Sequence, residues 1–190
     1  MNEPPRIAAF EKVSYEEFKR AMSDNQVLYD LLLMHPELND EDELCRLLYS
    51  EIRLPERATR GSAGYDFFAP FGFVIKTTMS KFFDLKNAIV VPTGIRCRFP
   101  QDYALLLMPK SGLGFKYGAF LANTLGLVDS DYYYSDNEGH IMAKMFCFSE
   151  GGITVDKGKA FMQGILVPFG ITTDDIADGT RNGGFGSTGR

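Results

Sequence analysis

Cysteine, histidine and tryptophan are scarce in this chain of 190 residues, and each shortage removes a class of chemistry. There is no tryptophan. The two histidines, His35 and His140, and the three dispersed cysteines, Cys45, Cys97 and Cys147, do not have the spacing of a structural zinc site. An odd number of widely separated cysteines suits reduced thiols better than a disulfide framework. Basic residues are in deficit too: 20 Lys and Arg against 25 Asp and Glu leave a net charge of −5. That argues against broad binding to nucleic acid, which rests on neutralising phosphates, and leaves room for a small anionic ligand held by a few local groups. No apolar run approaches the roughly 18 residues that span a membrane. The N-terminus, Met1-Asn2-Glu3-Pro4-Pro5, lacks the basic and apolar regions of a signal peptide, so a cytoplasmic protein without a membrane partner is expected.

Two regimes of periodicity meet near Ile52. After a candidate strand at 6–13, Ser14-Tyr15-Glu16-Glu17 has the form of a capping box, with Val13 and Phe18 placed for a hydrophobic staple, and predicts a helix start. Tyr15, Phe18 and Met22 share a face. Val27, Leu28, Leu31 and Leu32 continue helical spacing until His35-Pro36 interrupts it. A shorter helix is expected at 42–49, and the acids at 40–43 read as a solvated helix N-terminus that complements the dipole. Beyond Ile52 the signals are short strands punctuated by Gly and Pro, with candidates at 88–91, 95–99, 103–107, 141–148 and 161–167. The expected fold class is therefore all-β, a sandwich, barrel or jelly roll carrying an N-terminal helical stretch at 14–49 within a single domain. The last residues, 181–190, are too rich in glycine to hold one conformation unaided and read as a mobile tail.

Four segments could carry chemistry. Gly126-Leu127-Val128-Asp129-Ser130-Asp131-Tyr132 ends an apolar strand-like run in two carboxylates and a ring. Continued as a strand, it would point Asp129 and Asp131 to one side. Alone, such a segment is more often a turn. Pro109-Lys110-Ser111-Gly112-Leu113-Gly114 offers a lysine, a hydroxyl and open glycine amides at a strand end, which suits a phosphate. Gly61-Ser62-Ala63-Gly64-Tyr65-Asp66 adds a carboxylate able to hold magnesium through its water shell. The tail supplies glycine amides, two hydroxyls, the arginine fork of Arg181 and the stacking face of Phe185, as a lid over a phosphorylated ring would need.

Together and in this order, these segments resemble the trimeric dUTPase family, whose members split dUTP into dUMP and pyrophosphate. Ala63 to Asp66 looks like its first motif, Pro109 to Gly112 its second and Gly126 to Tyr132 its third. Gly158 to Gln163 looks like the fourth, and Arg181 to Gly189 the fifth. The resemblance runs from about Ile52 to the C-terminus. It implies a distorted antiparallel jelly roll assembled as a homotrimer, with sites shared between chains, dUTP as substrate and Mg²⁺ as cofactor. On this reading Asp129 is the general base and Asp131 shapes the hairpin. Tyr132 packs on the deoxyribose, while Asn123 and the hairpin backbone at Leu127 and Val128 read the uracil. Asp66 holds water on the metal, and Lys110, Ser111, Gly112 and Gln163 meet phosphate oxygens. In the tail, Phe185 covers the uracil, and Arg181, Gly186, Ser187 and Thr188 close over the triphosphate.

The pattern is not followed throughout. Lys110 stands where arginine is usual, Gly158-Lys159-Ala160 replaces the usual Gly-Asp-Arg, and the tail is one residue shorter between Arg181 and Phe185. Residues 133–138 lengthen the hairpin after the third motif. Two other readings compete with a dUTP diphosphatase: a dCTP deaminase on the same fold, which needs a glutamate near the third motif, and a nucleotide-binding regulatory protein.

Overall fold

A computed structural model describes residues 4–24, 26–38, 40–77 and 88–179. The chain enters on a short strand, β1 (Ala9–Lys12), and turns at Ser14 into three helices, α1 (Tyr15–Ser23), α2 (Gln26–Met34) and α3 (Glu41–Ser50). Ser14 caps α1 as its sequence predicts, its hydroxyl oxygen accepting from the Glu17 amide at 3.1 Å. Phe18 and Met22 then bury completely, with Val13 beside them in the core. Burying a side chain of that size favours folding by about 1.5–3 kcal/mol, and this packing anchors a helix too short to persist alone. The helical pattern does not run on into α2. It breaks at Ser23-Asp24, residue types of low helix propensity, where the Asp24 N–H closes the first helix on the Arg20 and Met22 carbonyls. Asp40 caps α3 by accepting from the Glu43 amide at 2.9 Å.

After the helices come β2 (Tyr65–Phe68), β3 (Phe73–Ile75), β4 (Ile89–Arg98) and β5 (Tyr103–Pro109). A short helix, α4 (Ser111–Tyr117), leads to β6 (Ala119–Leu121) and β7 (Gly126–Val128), followed by a 3₁₀ turn (Ser130–Tyr134). The last strands are β8 (Ile141–Cys147), β9 (Ile153–Val155) and β10 (Ala160–Pro168). Two four-stranded antiparallel sheets, in the orders β1-β4-β8-β6 and β2-β10-β5-β7, and a β3-β9 pair make up the β structure. Phe10 on β1 meets Phe67 on β2 with ring centroids 5.5 Å apart, and Phe73 on β3 meets Phe161 on β10 at 5.4 Å, so aromatic contacts tie the sheets into one core. The fold is the β-rich, antiparallel jelly roll with helical elements that the strand pattern implied. Among the described residues no helix is long and apolar enough to cross a membrane.

The two strand candidates at 88–91 and 95–99 are one strand. Pro92 and Gly94 lie inside β4 at a register shift between Pro92 and Ile95, and a bulge is where a strand tolerates both residues. Gly94 has φ +70°, and a Cβ there would lie 2.3 Å from Ile52 Cδ1. The bulge turns the Gly94 carbonyl to the Val13 amide at 3.0 Å and its N–H to His140 Nε2 at 2.9 Å. The junction between the helices and the sheet is built around this glycine.

Candidate active site

The sequence candidates fall into two clusters on the β2-β10-β5-β7 sheet. The first forms where β2, β10 and β5 lie side by side. Gln163 on β10 is directly opposite Asp66 on one side and Met108 on the other, so these three side chains share a face of the sheet. Lys110 follows two residues after Met108, and its ammonium bridges both Asp66 carboxylate oxygens, at 2.5 and 2.6 Å. Gly64 keeps the approach open: a Cβ there would lie 3.3 Å from Gln163 Oε1. The chain after Lys110 is not a bare strand end. It winds into α4, with the Leu113 and Gly114 amides both donating to the Lys110 carbonyl. The Ser111 and Gly112 amides therefore occupy the helix's first turn, whose N–H groups have no intrahelical acceptor and can meet an anion.

The second cluster surrounds Asp129. The connection from β6 to β7, strands of different sheets, turns through Asn123 and Thr124, with Thr124 at φ 66° and the Leu125 amide donating to the Asn123 carbonyl at 2.7 Å. Leu127 is exposed in the middle of β7 and Val128 is buried. The strand does not continue through Asp131. Asp129 is the N-cap of the 3₁₀ turn, its carbonyl accepting from the Tyr132 amide at 3.2 Å. The expectation that Asp129 and Asp131 point to one side of a continuing strand is thus corrected, because three residues per turn replace the period of two and bring Tyr132 one turn on from Asp129. Tyr132 is 7% exposed, its hydroxyl donating to the His140 carbonyl at 2.8 Å and accepting from Asn137 Nδ2 at 2.7 Å.

A hollow of about 310 Å³ borders Asp129, Ser130 and Asp131 together with Gln101 and Phe169. Nothing in the sequence marked the last two, since they belong to the turn before β5 and the segment after β10. A larger cavity of about 920 Å³ lies elsewhere, between the helices and the β3-β9 pair, with Arg20, Leu31, Met34, Phe73 and Val74 in its wall. It contains none of the candidate residues. Arg181, Phe185, Gly186, Ser187 and Thr188 lie outside the described residues, as does the tail to which they belong.

Within one chain the two clusters are at opposite ends of β5. Val128 pairs with Leu105, and Lys110 lies five positions beyond Leu105, roughly 17 Å along the strand at about 3.4 Å per residue. A base acts through a water within hydrogen-bond reach of the reacting atom. Were Asp129 a base and Lys110 and Ser111 a phosphate site, the two would lie too far apart within one chain to act on the same phosphorus.

The segments that form these clusters coincide with a known family. A family model described as dUTPase matches residues 50–189. The deoxyuridine 5'-triphosphate nucleotidohydrolase of Lactococcus lactis subsp. lactis is 33% identical over 141 residues, covering 73% of this chain and 89% of that protein. The Escherichia coli protein of the same name is 33% identical over 146 residues, covering 74% and 89%. The crystal structure of dUTPase from Streptococcus mutans superposes with a TM-score of 0.54 at 31% identity, over 63% of this chain and 88% of that one. With half of its sequence and more matched by the family model, and nine-tenths of its curated relatives' length covered, the chain belongs to the dUTPase family and is a dUTP diphosphatase, releasing dUMP and pyrophosphate.

Proposed function

We propose that the two clusters are halves of one active site completed between chains of a homotrimer, in which Asp129 of one chain serves a triphosphate held by Asp66, Lys110, Ser111, Gly112 and Gln163 of another. The observation that carries this reading is the separation along β5: both halves carry the expected chemistry, and neither can reach the other within one chain. A cyclic arrangement with head-to-tail interfaces supplies that juxtaposition once per chain.

In this site the Asp129 carboxylate accepts a proton from water as the water attacks the α-phosphorus in line, and pyrophosphate departs on the opposite side. The ammonium of Lys110, the hydroxyl of Ser111, the amide N–H of Gly112 and the amide group of Gln163 hold phosphate oxygens. Asn123 and the backbone at Leu127 and Val128 form hydrogen bonds with the uracil, and the ring of Tyr132 packs against the sugar. Arg181, Phe185, Gly186, Ser187 and Thr188 close over the bound nucleotide and exclude competing water.

Magnesium fits the donors of the first cluster. Among the described residues no group of three or more His, Cys, Asp or Glu could hold a metal, which speaks against an all-protein cage. A single carboxylate, Asp66, is what an ion needs that keeps its waters and takes its remaining ligands from substrate phosphates. When bound, that ion neutralises charge on the phosphates as they separate. Lys110 already fixes the orientation of the Asp66 carboxylate through contacts with both of its oxygens.

The deaminase alternative lacks its glutamate in Asp129-Ser130-Asp131-Tyr132, and a purely regulatory binder has no use for a base beside a water-accessible hollow. The helices at 14–49 are read as an insertion preceding the matched region within one domain, and the protein as cytoplasmic. Single turnover of dUTP with Mg²⁺ in ¹⁸O-water tests the chemistry. Label is expected in dUMP; label in pyrophosphate would place the attack on the β-phosphorus and remove Asp129 from its assigned role.

A further inference from the structure

The lengthened segment after Tyr132 and the N-terminal helices are joined by hydrogen bonds. Glu138 has φ 56°, a conformation that residues with a Cβ seldom adopt. Its carboxylate takes both polar groups of the α1 cap: the Ser14 N–H donates to Oε2 at 2.7 Å and the Ser14 hydroxyl to Oε1 at 2.5 Å. In a capping box, Glu17 would occupy that place. Glu17 instead turns inward and accepts from Arg20 and from His140.

His140 is fully buried, and its tautomer follows from its neighbours. The Gly94 N–H can only donate, so Nε2, at 2.9 Å, is the acceptor. The proton then sits on Nδ1, 2.9 Å from Glu17 Oε1. The same residue's carbonyl accepts from the Tyr132 hydroxyl at 2.8 Å. An unbroken path therefore runs from α1 through Glu17 and His140 to the ring of the third motif. The backbone turn of that ring begins at Asp129.

We infer that Glu17 and His140 are positioning residues for the dUTP-hydrolysing turn, through which helix α1 fixes the placement of Tyr132 and, with it, Asp129. The inference rests on the reading of Asp129 and Tyr132 as site residues. Glu17 fixes the imidazole through Nδ1, Gly94 fixes it through Nε2, and the fixed residue presents its carbonyl to the phenol. Ser14 and Glu138 make a second joint that holds the far end of the turn. In this chain the helices are thereby part of the support of the active site.

The test is steady-state hydrolysis of dUTP by full-length variants. Glu17→Ala is expected to lower kcat by roughly 10- to 100-fold, the scale of a reacting group displaced by about 1 Å, with KM changed less than about threefold. Glu17→Gln keeps an oxygen that accepts from Nδ1–H and should restore kcat to within about threefold of the parent. Asp42→Ala serves as the structural control. Asp42 accepts from Tyr15, Lys19 and Arg46 in the same helical region without touching the turn, so its loss should lower the melting temperature and leave kcat unchanged.

Equal kcat losses in Glu17→Ala and Asp42→Ala, or no rescue by Glu17→Gln, overturn the inference. In a Tyr132→Phe background the path is already cut, and Glu17→Ala should cost less than about threefold more; a full additional loss would show that the two act separately. Should Glu17→Ala fail to fold, Glu138→Ala tests the partly exposed joint, with an expected kcat loss of about 3- to 10-fold and an unchanged kcat as the contrary result. Asp129→Asn measured alongside separates the two levels: retained turnover there removes the site assignment itself, whereas its loss combined with an unaffected Glu17→Ala removes only the positioning role.

Discussion

If the active site is divided between chains, two inactive variants should rescue one another. Asp129→Asn disables the base, an effect of about 10²- to 10⁴-fold in turnover. Lys110→Ala combined with Ser111→Ala disables the phosphate half: losing one charged and one neutral donor costs about 3 kcal/mol together, roughly 100-fold. Coexpression of the two chains under different tags yields mixed oligomers. A site regains both intact halves when its base comes from a Lys110/Ser111 variant chain and its phosphate half from an Asp129→Asn chain. In a cyclic trimer that contains both kinds of chain, one of the three head-to-tail interfaces always joins them in that order, so about one third of the sites recover. The roughly 17 Å along β5 between the level of Val128, the residue before Asp129, and Lys110 makes the expectation sharp, because no side-chain motion closes that gap within a chain. The assay is pyrophosphate release by doubly tagged oligomers, normalised to parent protein. Activity no greater than the sum of the two variants would mean that each chain holds a complete site, and the separation argument would be wrong.

Other consequences follow from single residues. Asp66→Asn should leave the fold intact and raise the Mg²⁺ concentration needed for half-maximal activity by about 10-fold or more, as loss of an outer-shell carboxylate does; an unchanged Mg²⁺ titration would exclude Asp66 from the metal's surroundings. Gly94→Ala should destabilise by about 1–3 kcal/mol, read as a lower denaturation midpoint, since the added methyl meets Ile52 and the positive φ is retained. Burial acts to raise the Glu17 carboxyl, but hydrogen bonds from His140 and Arg20 outweigh it and hold the group below its ordinary 4.5. A lowered carboxylate contributes stability that is fully present above the unfolded value and is lost as pH falls through the folded one. Acid denaturation followed by circular dichroism should therefore show a shallower loss of stability below about pH 5 in Glu17→Gln than in the parent, and identical slopes would count against that linkage.

The five ordered motifs were legible because each is local, a few residues whose types carry the chemistry whatever the fold does around them. Strand candidates such as 103–107 and 161–167 were legible as apolar runs between breakers, and they are the paired centre of the β2-β10-β5-β7 sheet. What escaped was set by distant contacts. Asp66 and Lys110 are 44 positions apart, and only the register of β2, β10 and β5 shows that they pair. The capping box had the right residue at Ser14 and a misleading partner in Glu17, because a carboxylate 124 positions away fills the reciprocal role. Pro92 and Gly94 made one strand look like two, a bulge having the same local signature as a break. Ser111 to Tyr117 has two glycines, which conceal a helix by propensity, and the apolar lead-in to Asp129 gave no sign of the 3₁₀ turn that replaces strand geometry there.

The most direct measurement is turnover and nucleotide binding by the same Asp129→Asn protein. The account predicts that a non-hydrolysable dUTP analogue binds within a few-fold of the parent affinity while dUMP production falls by about 10²- to 10⁴-fold. Near-normal turnover would contradict it, because the carboxylate at the end of β7 would then not be the group that activates water.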